Sequence, residues 1–460
     1  MLNELAAASY RRDLGDGLML RWSTTDDAEG VAQLMGMIWR NSADEPINVR
    51  MAEAARRHLS GGFPLVGPGD CALVEATDQP GRPVVAFAFL WRGEWSYEGI
   101  RFAIGQPETI ATDPAYRNRG LVRAMLELIH ARSAAEGHLV QAITGIPTFY
   151  RQFGYEYALD LHGRRIAYAA LIPPAPADTP EPYALRAATS ADVPLIVELF
   201  ARGRADSIVW NEIPERYWHY LIEVWGPPAA PRDPMLIGVA ERLLMIVDAS
   251  GAARGYAMVA AKRWGADLPV YSVEFIPDVS LAAAAPALLR ALLRYGEQLP
   301  LVATSPQPLR EISLYLGRAH PLNAVLAPAL APVAEPPYAW YLRVTDLPAF
   351  LRLIAPALER RLAASPAAGY SGTLTLNFYR DGLRMMFDAG RIIAIEPWRA
   401  SDYQNAVDAG MPALLFLQLV FGYRSLADLR HAFPDVGADG MGELLLNALF
   451  PARPSWVMAL

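Results

Sequence analysis

Three residues near the predicted start of a helix, Arg117, Arg119 and Gly120, are of the types that bind anionic groups. The segment 110–125 predicts a short strand, a turn after Pro114 and a helix that begins at about Gly120. Helix N-termini present unpaired N–H groups with partial positive charge, glycine lets the backbone approach a ligand closely, and arginine pairs with phosphate in a fork. We therefore expect the turn to hold the pyrophosphate of a cofactor. The alternative is an ordinary basic turn before a surface helix.

Known phosphate-binding signatures narrow the class of cofactor. The segment is not Gly-x-Gly-x-x-Gly, which argues against a dinucleotide-binding fold. It also lacks the Gly-Lys-Ser/Thr of a nucleoside triphosphate loop.

A second group of residues, Phe149 to Tyr155, follows about one helix and one strand later. Apolar residues at helical spacing over 121–129 indicate the helix, and residues 138–143 indicate the strand. A tyrosine phenol, with an ordinary pKa of about 10, can donate a proton to a forming anion. Aromatic side chains more often pack a core, and we expect that role for Phe153 and Tyr155. For Tyr150 we expect a chemical role.

The two segments resemble motifs of GNAT N-acetyltransferases. The acetyl-CoA motif of that family is usually Arg/Gln-x-x-Gly-x-Gly/Ala; Arg117 and Gly120 fit it, and Val122 occupies the position of the small residue. The order of elements between the segments is also that of the family. GNAT enzymes place a tyrosine near the departing thiolate of CoA, and the resemblance implies this role for Tyr150.

Composition limits the other classes of function. A length of 460 residues suggests two to four domains, and 53% hydrophobic residues are ample for packed cores. A net charge of −7 without a basic stripe argues against a nucleic-acid partner. No histidine pair has metal-site spacing, so we expect no metal.

Other features predict a cytoplasmic protein without a membrane partner. The one cysteine, Cys71, excludes an intramolecular disulfide and fits a reducing compartment. No signal peptide is apparent, and the longest apolar run, Met411 to Gly422, is too short to span a bilayer.

Two proline-rich linkers, Leu171 to Pro182 and Ala327 to Pro337, divide the chain. We predict domains at 1–170, 183–328 and 338–460. The first two open alike, because Thr24-x-x-Asp27 in the first recurs as Thr189-x-x-Asp192 in the second, each resembling an N-capping box.

This repeat predicts a duplicated fold whose second copy is silent. The strand end 273–278 of the second copy is followed by an alanine-rich stretch and not by Arg-x-x-Gly. We therefore expect no cofactor there.

The third block has a different pattern. Residues 373–378 alternate as a strand, and Asp381-Gly382 is a two-residue hairpin signal. Helices are predicted over 411–420, 425–432 and 443–450. This α+β layer resembles the sterol-carrier-protein-like domain found at the end of one GNAT subgroup.

Together the three blocks resemble the Eis (enhanced intracellular survival) family of acetyltransferases. The resemblance implies a mixed α/β, α+β protein with tandem GNAT folds, one catalytic and one degenerate, followed by a sterol-carrier-like α+β domain. It also implies a homo-oligomer, specifically a homo-hexamer, and acetyl-CoA as the acyl donor.

The resemblance also assigns roles to residues. The backbone that would pair with the pantetheine arm is that of Ile110, Ala111 and Thr112. The pyrophosphate would be held by Arg117, Asn118, Arg119, Gly120, Leu121, Val122 and Arg123. Gly145 and Ile146 would line the thioester end, and Tyr150 would protonate the thiolate. The general base would be the C-terminal carboxylate of Leu460, with Glu108 before the cofactor strand as the alternative.

The expected reaction is direct transfer of acetyl from acetyl-CoA to a primary amine in a ternary complex. Aminoglycosides, polyamines, peptide amines and other small-molecule amines all fit such an enzyme. The rival hypothesis is a non-catalytic acetyl-CoA sensor or an apolar-ligand-binding protein.

Overall fold

The computed structural model describes residues 2–40, 42–225, 241–263, 265–301, 307–399 and 407–459. Its helices are Leu2–Ala6 (α1), Ala28–Ile38 (α2), Val49–Leu59 (α3), Leu121–Ala135 (α4), Val193–Gly203 (α5), Glu215–Trp225 (α6), Leu281–Glu297 (α7), Leu322–Val325 (α8), Leu347–Ala363 (α9), Ala413–Val420 (α10), Leu426–Ala432 (α11) and Gly440–Leu449 (α12). Its strands up to the second linker are Arg11–Gly15 (β1), Leu18–Trp22 (β2), Cys71–Ala76 (β3), Val84–Tyr97 (β4), Ile100–Thr112 (β5), Val140–Ile143 (β6), Glu156–Leu161 (β7), Arg164–Tyr168 (β8), Tyr183–Ala187 (β9), Val209–Glu212 (β10), Glu241–Asp248 (β11), Ala253–Ala260 (β12), Asp267–Phe275 (β13) and Glu311–Leu314 (β14). The later strands are Val333–Glu335 (β15), Tyr338–Val344 (β16), Gly372–Asn377 (β17), Gly382–Asp388 (β18), Arg391–Trp398 (β19), Ala409–Gly410 (β20) and Gly437–Ala438 (β21).

The first sheet runs in the order β1-β2-β3-β4-β5-β6-β16-β7, and β10 pairs with the end of β4. Alternate residues of a strand point to opposite faces. Phe87 and Phe89 of β4 pack in one core with α2 and α3, whereas Ala86 and Ala88 pack in another with α4. The small alanine side chains allow α4 to lie close to β4.

The second sheet runs in the order β15-β8-β14-β13-β12-β11-β9, so the two sheets exchange strands. Strand β8 comes from the first block but pairs with β14 of the second. Strand β16, which follows the second linker, returns to the first sheet between β6 and β7. The boundaries at 170, 183, 328 and 338 stay predictions, and hydrogen-bonded pairing crosses them in both directions.

The repeated opening of the first two blocks has the same geometry in both copies. The Asp27 carboxylate accepts from the Thr24 N–H at 2.7 Å, and the Asp192 carboxylate accepts from the Thr189 N–H at 2.8 Å. Each carboxylate also pairs with an arginine of the preceding strand, at 2.7 Å in both blocks. The predicted capping boxes are therefore confirmed.

The third sheet runs in the order β19-β18-β17-β20-β21. The predicted hairpin forms between β17 and β18, but its turn differs from the two-residue turn expected from Asp381-Gly382. Gly382 belongs to β18, and Tyr379 takes the positive φ of 70° within the connection. A Cβ at Gly382 would lie within 3.0 Å of Trp398, so close packing explains the glycine. Helices α10, α11 and α12 follow near the predicted positions, and the sterol-carrier resemblance stays a prediction.

Within the described residues, the helices include none with both the length and the apolar character needed to cross a membrane.

Candidate active site

The candidate site begins where β5 and β6 separate. These parallel strands pair at Ile104–Val140 and Gly105–Gln141. Beyond Gly105, the edge of β5 that faces β6 has no strand partner among the described residues, while its other edge stays paired with β4. A free strand edge offers N–H and C=O groups to an extended ligand.

The residues expected to pair with pantetheine lie on this free stretch. On the β4 side, Ala111 pairs with Phe87 and Thr112 with Ala86. Ile110 belongs to the partly buried rim of two cores, one with α4 and one with Tyr150. The structure therefore places all three on the separated part of β5.

A β-bulge interrupts β5 just before them. The register shifts opposite Phe87 and Phe89, and Thr109 has a positive φ of 50°. Glu108 pairs opposite Phe89. Bulges change the direction in which side chains point, and this bulge lies next to Glu108, the candidate base.

The turn before α4 has the backbone of an anion site. Asn118 and Gly120 have φ of 63° and 75°, and no atom lies within 4 Å of a Cβ built on Gly120. Helix α4 begins at Leu121, with Gly120 as an N-cap that supplies no side-chain acceptor. The first N–H groups of the helix therefore remain available.

Three arginines surround this turn. The side chains of Arg117, Arg119 and Arg123 are exposed and form no ion pair with any described residue. Arg119 lies over the Tyr116 ring at 5.1 Å, and Arg123 donates to the Gln152 side chain at 3.1 Å. Unpaired guanidinium groups beside a helix N-terminus favour a bound anion.

Val122 stands where the acetyl-CoA motif usually has a small residue. It packs at the edge of the small core that contains Leu126, Ile143 and Tyr150. The same core receives Ile110 from β5, so it joins the predicted cofactor strand, the cofactor helix and the predicted acid.

Tyr150 lies on a short 3-10 turn, Phe149–Phe153, between Thr148 and Gly154, which both have positive φ. The residue is 6% exposed, and its hydroxyl forms no hydrogen bond with the described residues. A Cβ on Gly145 would lie 3.2 Å from the ring and 3.5 Å from the hydroxyl. Gly145, with φ of 135°, is therefore needed for the close approach of this loop to Tyr150.

The two candidate proton-transfer groups influence each other. Burial, together with the smaller effect of the nearby Glu108 carboxylate, raises the pKa of Tyr150 to about 12. Burial also raises the pKa of Glu108 to about 7, against the opposing effect of the Thr109 N–H. Glu108 keeps some accessible surface, but its carboxyl group is densely surrounded by protein, and that crowding sets the direction of the shift.

The loop Gly145–Thr148 is held by tyrosines that the sequence did not single out. Tyr338 donates to the Gly145 carbonyl at 3.3 Å, and Tyr341 donates to the Ile146 carbonyl at 3.1 Å. Both come from β16, which is more than 190 residues away in the chain. The side chain of Ile146 itself is 62% exposed.

The third tyrosine of this cluster, Tyr157, comes from β7. Its hydroxyl accepts from the Thr148 N–H at 2.8 Å and is hydrogen-bonded to the Tyr341 hydroxyl, 2.6 Å away. Only the insertion of β16 beside β7 brings these side chains together, and no local spacing signals it.

The C-terminal tail lies along β10. The Trp456 N–H donates to the Val209 carbonyl at 2.8 Å, and Met458 exchanges two hydrogen bonds with the Asn211 side chain, at 2.9 and 3.1 Å. Met458 is buried in the core shared by the first two blocks. Leu460, the predicted base, lies outside the described residues.

Comparison with known proteins identifies the first block. Residues 20–158 match a family model described as an acetyltransferase (GNAT) domain. No curated protein sequence matches the chain. The chain therefore carries a GNAT acetyltransferase domain that includes β2 to β6, α4 and the Tyr150 turn.

Solved structures share the fold over most of the chain. A GCN5-related N-acetyltransferase from Kribbella flavida is 19% identical, with a TM-score of 0.62, over 96% of this chain and 98% of that one. Eis1 from Mycobacterium abscessus is 15% identical, with a TM-score of 0.56, over 96% and 99%. A Saccharomyces cerevisiae N-myristoyltransferase with bound myristoyl-CoA is 11% identical, with a TM-score of 0.50, over 73% and 82%. At these identities the likeness establishes a mixed α/β architecture with GNAT-like folds.

Among the described residues, no group of three or more His, Cys, Asp or Glu side chains is arranged to hold a metal ion.

Proposed function

We propose that this protein is an acetyl-CoA-dependent N-acetyltransferase that transfers acetyl to a primary amine by direct attack in a ternary complex. One observation carries the proposal: the Tyr150 hydroxyl, without a hydrogen-bond partner among the described residues, lies beside Gly145 and close enough to Glu108 for the two groups to interact electrostatically. The GNAT domain match over residues 20–158 supports the use of an acyl-CoA donor.

The donor would be bound by two surfaces. The free edge of β5 at Ile110, Ala111 and Thr112 would pair with the pantetheine arm. The N-terminus of α4, with the unpaired side chains of Arg117 and Arg119, would bind the pyrophosphate. Both surfaces converge on the core that contains Tyr150.

Glu108 is the base that the described residues favour. Its pKa, raised by burial to about 7, lets the carboxylate accept a proton from the substrate ammonium group near neutral pH. The free amine then attacks the thioester carbonyl. The Leu460 carboxylate remains the alternative base, supported by the burial of Met458 in the core that also contains Phe89, the residue opposite Glu108.

Tyr150 would complete the transfer. The new C–N bond forms, backbone N–H groups of β5 stabilise the oxyanion, the nitrogen releases its second proton to solvent, and the C–S bond breaks. The phenol donates its proton to the departing thiolate, whose development offsets the high pKa of the tyrosine.

The test is release of CoA from acetyl-CoA against a panel of aminoglycosides, polyamines and peptide amines. Tyr150→Phe keeps the ring and removes the proton donor, so amine-dependent turnover should fall by about a hundredfold or more. Tyr315→Phe, in the second block, is the matched control and should leave turnover unchanged. Equal turnover in Tyr150→Phe and in the original protein would remove Tyr150 as the acid.

One observation favours the rival function. A cavity of about 540 Å³ between the Tyr150 turn and the third block has an apolar wall that includes Phe378, Leu414 and Phe433. It has the size of a site for an apolar ligand. Binding of acetyl-CoA without CoA release for any amine would favour the sensor or binding-protein hypothesis over the enzyme.

A further inference from the structure

A second cavity, of about 500 Å³, lies among α1, β1, α4 and β16. None of the candidate active-site residues lines it. Its apolar wall includes Leu20, Leu128 and Ala131, and its polar wall includes Arg12, His130 and Arg343. The volume is in the range of small-molecule sites in proteins.

Arg343 is the main cationic group of this cavity. Its guanidinium donates one hydrogen bond to the Gln141 side chain at 2.8 Å and forms no ion pair in the described part of the chain. A Cβ on Gly154 would lie 3.5 Å from its Nε atom. The remaining donors of the guanidinium are thus available to an acceptor in the cavity.

Arg12 adds a second guanidinium group, of which only some donors form hydrogen bonds within the described residues. Its Nη1 atom pairs with Glu127 at 3.2 Å, but its buried Nε atom has no hydrogen-bond partner among the described residues. Two guanidinium groups and one carboxylate give the lining a charge of about +1 while His130 is neutral. Burial, together with the smaller effect of the Arg343 charge, lowers the pKa of His130 to about 3.

We propose that this cavity is a second binding site, for a small organic anion with a carboxylate on an apolar body. Arg343 pairs with the carboxylate, and Leu20, Leu128 and Ala131 contact the body. The site is separate from the acetyl-transfer centre, so it stands whether or not the chain transfers acetyl groups.

A ligand in this cavity contacts His130 and Arg343, two residues that support the turn carrying Tyr150. The His130 ring is hydrogen-bonded to the Tyr155 hydroxyl at 2.7 Å, and the Tyr155 and Tyr150 rings meet edge to face at 6.2 Å. Arg343 lies against Gly154, the last residue of the same turn. Through His130 and Arg343, the proposed site therefore borders the turn that carries Tyr150.

Binding of hexanoate to the full chain, measured by isothermal titration calorimetry, tests the proposal. Hexan-1-ol and hexylamine are matched probes without the negative charge. We expect hexanoate to bind at least about tenfold more tightly than either, because neither can form an ion pair with Arg343.

Three variants locate the site. Arg343→Met keeps an apolar stem and removes the charge, and it should weaken hexanoate binding at least about tenfold. Ala134→Trp keeps Arg343 but fills the cavity, which Ala134 lines, and should abolish binding. Arg216→Met removes an exposed arginine of α6 that forms no ion pair with described residues, and it should leave binding unchanged.

Melting curves test whether each variant is folded, and Ala134→Trp keeps the test valid if Arg343→Met does not fold. The proposal is overturned if hexanoate produces no heat up to millimolar concentration. It is also overturned if hexan-1-ol binds as well as hexanoate, or if folded Ala134→Trp binds hexanoate like the original protein.

Discussion

The first and second blocks both contain a parallel strand pair that separates, but they differ in what occupies the strand edge beyond that point. In each, a parallel strand pair separates, β5 from β6 after Gly105 and β13 from β14 after Val270. The edge of β5 then has no partner in the described part of the chain. On β13 the Val273 carbonyl accepts a hydrogen bond from the His320 ring at 2.9 Å. A side chain of the second block thus occupies the edge that an extended ligand would need.

The carboxylates of the two blocks differ in the same way. Glu274 of β13 pairs at 2.8 Å with Arg204, whose side chain is fully buried. Glu108 of β5 forms no ion pair with a described residue, and burial raises its pKa to about 7. A paired carboxylate stabilises a fold, whereas an unpaired one with a pKa near neutrality can exchange protons.

The two blocks thus differ in the strand edge and in its carboxylate, which have protein partners only in the second block, whereas neither α4 nor α7 has a side-chain cap at its start. The absence of a cofactor from the second block stays a prediction, and the His320 and Arg204 contacts give it a physical basis.

Replacing Glu108 tests the largest difference. Glu108→Gln should lower kcat/KM by about a hundredfold, because the base is lost while the side-chain volume is kept. In the original protein only the ionised carboxylate is active, so kcat/KM should fall about tenfold for each pH unit below about 7. This acidic limb should disappear in Glu108→Gln, measured with the same amine so that the ionisation of the substrate is common to both profiles.

The matched change in the second block is Glu274→Gln. It weakens the contact with buried Arg204 and should lower the melting temperature while leaving the acidic limb in place. An unchanged limb in Glu108→Gln would assign the base to another group, with the C-terminal carboxylate as the next candidate.

The arginines at the two helices provide the second test. Arg117→Gln with Arg119→Gln should raise the KM for acetyl-CoA about tenfold and leave kcat nearly unchanged, because the pair contributes binding charge away from the thioester. The effect should shrink at high salt, because screening already weakens the pair in the original protein.

The control is Arg290→Gln with Arg294→Gln on α7. Both arginines pair with Glu181, at 2.8 and 2.9 Å, and are expected to act only on stability. An equal rise in KM from this double change would show that net charge, and not the turn before α4, determines acetyl-CoA affinity.

Local sequence patterns were sufficient to predict much of the local structure around the candidate site. The charges and glycine at 117–120 predicted a helix start that the structure places at Leu121, with Gly120 in the left-handed region. The repeated Thr-x-x-Asp segments predicted matching caps, which both form. In each case the signal and the structure involve residues within a few positions, where spacing determines geometry.

Features that depend on distant strands could not be predicted in this way. The insertion of β16 between β6 and β7 brings Tyr338 and Tyr341 onto the Gly145 loop, and no local signal indicates it. The bulge at Thr109 also depends on register with β4. The two-residue turn expected at Asp381-Gly382 is wrong, because close packing, and not turn geometry, requires Gly382.

Strand β16 supplies the smallest expected effect, because it supports the site without reaching the reacting atoms. Tyr338→Phe removes the hydrogen bond to the Gly145 carbonyl and should lower kcat about threefold, the effect of one neutral hydrogen bond at a partly exposed position. The KM for acetyl-CoA should rise by no more than that factor. Tyr370→Phe is the control, since the Tyr370 hydroxyl also donates to a carbonyl, at 3.1 Å, but in the third block. A loss of kcat in Tyr338→Phe alone would mark the Gly145 loop as part of what distinguishes the two blocks. Equal activity in both variants would restrict that difference to β5, α4 and Tyr150.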